Sequence, residues 1–132
     1  MKGFKSNIER DTLENNNFRK VLYSGKHLQL VLMSIEAGGE IGEEIHHAND
    51  QFFRFESGTG KCIIDGNEYH LKDGDVIVIP AGAKHNIINT NDTAELKMYT
   101  IYAPPHHKDG IVRTTKDEAE KNEAEFDGVT TE

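Results

Sequence analysis

Apolar and polar positions alternate from His27 to Ile35, placing His27, Gln29, Val31 and Met33 on one face and Leu28, Leu30 and Leu32 on the other. That period of two predicts a strand. A second strand is predicted over Phe52 to Glu56, with Gln51, Phe53 and Phe55 sharing one face and Phe52, Arg54 and Glu56 the other. Gly58 and Gly60 break it, and Lys61 to Ile64 pairs back. Asp65-Gly66 is a hairpin signal leading into Asn67 to Leu71, and Asp73-Gly74 turns the chain again. Val76-Ile-Val-Ile79 is a continuous apolar run, which predicts a strand buried on both faces. Pro80 ends it, because proline cannot donate to a central ladder. His85 to Asn89 and Ala94 to Tyr102, joined by a turn at Asn91-Asp92, complete the set.

The flanks read differently. Residues 1–26 are polar, with an Asn15-Asn-Asn17 run, and are expected to form an arm on the surface or across a partner subunit. The barrel is expected over residues 27–103. Residues 104–132 form a tail, in which Thr115 and Glu118 have capping-box spacing ahead of a short surface helix from Lys116 to Glu125. Eight or more short antiparallel strands predict an all-β barrel or jelly roll.

With 132 residues the chain is one domain, large enough for a core without disulfides. A net charge of −8 weighs against nucleic acid or an anionic membrane as a partner. Cys62 is alone, in an apolar run, and is expected to be a buried, inert thiol. No apolar stretch resembles a signal peptide or a membrane helix, so the expected location is cytoplasmic.

The candidate chemistry lies between residues 38 and 89. Glu44 and His46 are alternate residues, so they share a face while Ile45 and His47 turn away. Gln51 shares its face with Phe53 and Phe55, and His85 follows the rigid turn Pro80-Ala-Gly82. Two imidazoles, a carboxylate and an amide oxygen suit a divalent ion of the manganese, iron, nickel or zinc group.

The spacing resembles that of the cupin superfamily. Its first motif runs Gly, five residues, His, one, His, three or four, Glu, six, Gly; this chain has Gly38, Glu44, His46, Gln51 and Gly58 at those places. Its second runs Gly, five, Pro, one, Gly, two, His, three, Asn, and Gly74, Pro80, Gly82, His85 and Asn89 match throughout. The resemblance implies a double-stranded β-helix of the RmlC-like jelly-roll type. More narrowly, the chain is similar to small bacterial cupins described as mannose-6-phosphate isomerase-like.

Glu44 stands where the family has its first His, and Gln51 where it has Glu. One imidazole gives way to a harder oxygen donor, which favours manganese or iron. A rival register, counted back from Gln51 with the shorter gap, selects His47 and puts Ile45, which cannot bind metal, in the first ligand position. The other alternative is a cupin without metal, in which Glu44 hydrogen-bonds to His46 or His85.

Three functions follow from the resemblance. The first is a metal-dependent enzyme on a small polar substrate, such as a sugar or sugar-phosphate isomerase, with no base identifiable in the sequence. The second is an Fe(II) dioxygenase, since two His and one carboxylate are the ligands of non-haem iron oxygenases. The third is a non-catalytic small-molecule-binding cupin. Pairing as a homodimer through a sheet edge is expected. Elsewhere, Arg54 and Glu56 read as a cross-strand charge pair ahead of a substrate clamp, His106-His107 after Pro-Pro as a solvated turn ahead of a closure of the barrel mouth, Lys84 as surface, and Tyr99, Tyr102 and His70 as packed or solvated ahead of proton donors.

Overall fold

The computed structural model describes residues 1–132. Ten strands form: β1 (Arg19–Ser24), β2 (Gln29–Ile35), β3 (Glu44–Ile45), β4 (Asp50–Ser57), β5 (Thr59–Ile64), β6 (Asn67–Lys72), β7 (Val76–Ile79), β8 (Lys84–Asn89), β9 (Leu96–Ala103) and β10 (Val112–Arg113). Two short helices flank them, α1 (Ile8–Glu14) and α2 (Lys116–Lys121). The strands divide into a six-stranded sheet, ordered β10-β1-β2-β9-β4-β7, and a four-stranded sheet, ordered β3-β8-β5-β6. Every pairing is antiparallel, as the sequence predicted for a jelly roll.

The inward faces interdigitate as one core. In the large sheet, Phe53 stands opposite Thr100 and Thr100 opposite Val31; one row along, Phe55, Met98 and Met33 do the same. From the small sheet come Cys62, Leu71 and Ile87, which join the same cluster. Burial pushes the Cys62 thiol up to about 12, so it remains protonated and inert. Turn chemistry sets the registers. Asp65 and Gly66 both take positive φ, 46° and 83°, as a two-residue hairpin requires. At Gly58 a Cβ would lie 2.5 Å from the Glu95 carbonyl oxygen, so only glycine lets β4 and β9 cross there.

Several expectations need correction. The polar start is not merely an arm, because Arg19–Ser24 pairs with both β2 and β10 and so belongs to the large sheet. Its charged first residues and a register shift between Val21 and Tyr23 hid the alternation. Val76–Ile79 is not buried on both faces: it is the outermost strand of its sheet, and Val76 and Val78 are 50% and 63% exposed. Arg54 and Glu56 pair along one strand, at 2.9 Å, rather than across two. The C-terminal helix ends at Lys121, four residues early, although Thr115 caps it as predicted by accepting from Glu118 N–H.

Candidate metal centre

The two motifs meet in one hydrogen bond. Pro80 ends β7, Gly82 takes φ of +90°, and its N–H donates to the His46 carbonyl at 2.9 Å. Three residues later His85 enters β8, whose ladder sets His85 directly opposite Glu44 of β3. Glu44, His46 and His85 thus converge, each offering one donor atom, all within 4.8 Å of one another. Ile45 and His47 face out and are exposed, so the structure takes the Glu44/His46 register.

Glu44 Oε2 stands 3.1 Å from His46 Nε2 and 4.0 Å from His85 Nε2. Donors bound at ~2.1 Å to one ion can be no more than ~4.2 Å apart, and at tetrahedral or octahedral angles lie ~3.0–3.4 Å apart. Both contacts fall within that limit. The Glu44–His46 contact alone would equally suit a metal-free hydrogen-bonded pair. His85 tells the two apart. His85 Nδ1 lies 2.9 Å from the Ala83 carbonyl, to which it donates, leaving Nε2 as a lone pair that is buried and has no partner. Gln51 is 2% exposed; its amide nitrogen donates to Thr100 Oγ1 at 3.0 Å, and its Oε1 is likewise buried and unpaired. Buried acceptors are rarely left so. A divalent cation held by Glu44, His46 and His85 would satisfy the His85 nitrogen, and that donor set fits one.

The electrostatics agree. Burial would raise the Glu44 carboxyl, but the hydrogen bond from His46 and the charges of His46, Arg19 and His85 outweigh it and hold the group below its ordinary range. Desolvation holds His85 below the usual histidine value, against the bond to Ala83. Both groups are therefore in their metal-binding protonation states at neutral pH.

Around these donors stand residues of only secondary weight in the sequence. His106 is not on a solvated turn: its ring centroid is 4.4 Å from that of His46 and 5.3 Å from that of Tyr102. His107 is buried, with Nε2 3.2 Å from the Tyr102 hydroxyl. Their backbone is held by Gln29, whose Oε1 accepts from His106 and His107 N–H at 3.1 and 2.9 Å while its Nε2 donates to the His107 carbonyl at 2.6 Å. A glutamine on the inward face of β2, in line with Val31 and Met33, was the available signal. Tyr102 is buried and meets His46 edge-on at 5.6 Å, whereas His70 is exposed and Tyr99 packs against Phe52 on the outer face. Asn89, the last motif position, is structural: its amide donates to the carbonyls of Ile35, Glu36 and Ala94.

A jelly roll of two antiparallel sheets with a His/Glu cluster between them defines the class, and the Cupin domain family matches residues 31–102. The chain belongs to that family. It is 48% identical over 124 residues to the uncharacterized protein YrkC of Bacillus subtilis, covering 89% of this chain and 66% of that protein. To the uncharacterized protein L612 of Acanthamoeba polyphaga mimivirus it is 43% identical, over 80% of this chain and 68% of the relative. The chain therefore spans about two thirds of the length of these curated relatives. The crystal structure of BH2720 from Bacillus halodurans superposes with a TM-score of 0.87 at 43% identity, covering 90% of this chain and 94% of that one. No helix of the chain is long and apolar enough to cross a membrane.

Proposed function

We propose that this cupin binds one divalent metal ion through Glu44, His46, Gln51 and His85 and is an enzyme on a small polar substrate, of the sugar or sugar-phosphate isomerase type. The observation that carries the reading is the buried, unpartnered His85 Nε2 beside the Glu44–His46 pair, its donor atom within 4.8 Å of theirs. Bound there, the ion would act as a Lewis acid on adjacent substrate oxygens, and the oxygen-rich donor set favours manganese or iron.

Isomerisation also needs a group that moves a proton between neighbouring carbons. His106 fits. Its side chain makes no hydrogen bond, it lies against His46, and burial holds it below its ordinary value, so a ring nitrogen is free to accept a proton at neutral pH. Tyr102, raised by burial, stays protonated and orients the neighbouring imidazoles. The two-histidine, one-carboxylate cluster supports a second reading, an Fe(II) dioxygenase. We read the chain as a homodimer built on the free edge of β7.

Elemental analysis of the purified protein beside Glu44→Ala and His85→Ala tests the metal. About one ion per chain in the wild type and little in either variant is expected; no metal in the wild type, even after incubation with Mn(II) or Fe(II), overturns the reading. Oxygen uptake by the Fe(II)-loaded protein on phenolic or diketone substrates, without isomerisation of sugars, would replace the first activity by the second.

A further inference from the structure

Arg19 is the one charged side chain directed from β1 into the sandwich. Its ladder partner is Met33, a core residue whose own partner across β9 is Met98. Val21, two residues on, lies opposite Val31 and is buried in that core, which fixes the inward face of β1. Arg19 makes no hydrogen bond and no ion pair, and its Nε is buried without a partner. The Phe18 ring lies 5.4 Å from the guanidinium carbon, and the Glu44 carboxylate feels the Arg19 charge without forming an ion pair with it. Arg113, beside it on β10, is by contrast satisfied by the Asn122 carbonyl. An inward guanidinium whose N–H groups no carboxylate or carbonyl accepts is unfavourable unless something else supplies the acceptor.

Its position says what that is. β1 lies one strand from the edge of the large sheet and β3 forms the edge of the small one. A cleft of about 260 Å³ lies at this seam, lined by Arg19, Glu44, Gly42, Ile41 and, from α2, Lys116 and Ala119. Arg19 and Glu44 thus share one cleft, yet form no ion pair within 4.0 Å. Of the acidic residues that also line the cleft, Glu43 pairs with Lys84 at 3.1 Å and Glu120 with Lys116 at 3.8 Å, while Glu123 makes no ion pair.

We propose that Arg19 is the anion-recognition residue of this site: the substrate is a small oxyanion whose carboxylate or phosphate takes the two-pronged guanidinium while its neighbouring oxygens reach the Glu44–His46–His85 cluster. The guanidinium fork matches either group. This rests on the metal reading above, and it supplies the anion contact that no sequence motif revealed.

Calorimetric titration of the Mn(II)-loaded protein and of the chelator-treated protein tests it, with glycolate, inorganic phosphate and neutral glycerol as probes. Arg19→Met, which matches the apolar row it joins, and Arg19→Gln are titrated alongside. The expected result is binding of glycolate or phosphate that weakens about tenfold or more in the variants. Glycerol binding and Mn(II) stoichiometry should not change. A preference for glycolate over phosphate, or the reverse, identifies which oxyanion the cleft takes. Equal anion affinity in wild type and in either folded variant, or no anion binding by the wild type, overturns the proposal. Should the wild type hold no Mn(II), the metal reading fails by itself. The chelated protein then decides: Arg19-dependent anion binding upholds the inference, and its absence ends it.

Discussion

The Gly82 N–H donates to the carbonyl of His46 at 2.9 Å, so the turn that delivers His85 is tied to the backbone of the histidine it must meet. Gly82 holds φ of +90°, and a Cβ there would meet nothing within 4 Å. Gly82→Ala is therefore a test of backbone conformation alone, free of any clash. A left-handed non-glycine residue costs roughly 1–3 kcal/mol. We expect Gly82→Ala to lower the urea-unfolding free energy by about that amount and to weaken Mn(II) binding, read by competition with a chromogenic chelator. Unchanged metal affinity in a destabilised protein would show that the turn does not position His85.

Gln29 makes a second prediction. Its buried amide uses both donors and accepts two N–H groups, bonding Ser24 Oγ at 2.8 Å besides the His106–His107 backbone. Gln29→Leu keeps the volume and removes every one of these bonds. Each buried backbone group left unpaired costs about 1–3 kcal/mol, so a loss of roughly 3 kcal/mol or more is expected in chemical unfolding. Metal stoichiometry should survive, because no donor atom is touched. Turnover should fall, because His106 loses its anchor. Loss of metal together with stability would place Gln29 among the supports of the ion instead.

These two cases show what could be read from the sequence. Glu44, His46 and His85 were legible because strand alternation and a Pro-x-Gly turn are local, and local geometry is written in neighbouring residues. His106, His107 and Arg19 were not. The bonds that hold His107 in place come from Gln29, 78 residues away, and a Pro-Pro-His-His stretch by itself reads as a turn. Arg19 at the start of a strand reads as surface until Met33 is seen opposite it. Val76–Ile79 misled for a related reason: an apolar run records that a strand is sticky, while its place at the sheet edge is set by the whole topology.

His107 gives the fold an acid dependence. Burial first, then the charges of Arg19, His106, His46 and Arg113, push its imidazole down to about 2, from 6.5. Below pH 6.5 the unfolded chain takes up a proton that the folded chain refuses, so stability is full above that pH and falls as the pH drops toward 2. His85 and His106, also lowered, act in the same direction. One such group contributes a slope of about 1.4 kcal/mol per pH unit, or roughly 2 kcal/mol between pH 6.5 and 5. Urea unfolding of chelator-treated protein at both pH values measures it. His107→Gln, which can still bond the Tyr102 hydroxyl, should flatten the slope; an unchanged slope would assign the effect to the other histidines.

The outer face of the large sheet carries the last prediction. Val78 stands opposite Phe52, Phe52 opposite Ile101, and Ile101 opposite Leu30, a row of apolar side chains running inward from the free edge of β7. Every one points away from the core, and Val78 is 63% exposed. An unpaired edge with apolar flanks is where strands add or sheets stack. If two copies pair here, Val78→Lys places a charge in the centre of the contact without entering the core, and the monomer fold should be untouched. Sedimentation velocity of the wild type should give a dimer, and of Val78→Lys a monomer with the same metal content and melting behaviour. A wild type that sediments as a monomer would remove the homodimer, and a Val78→Lys dimer would move its interface to another face.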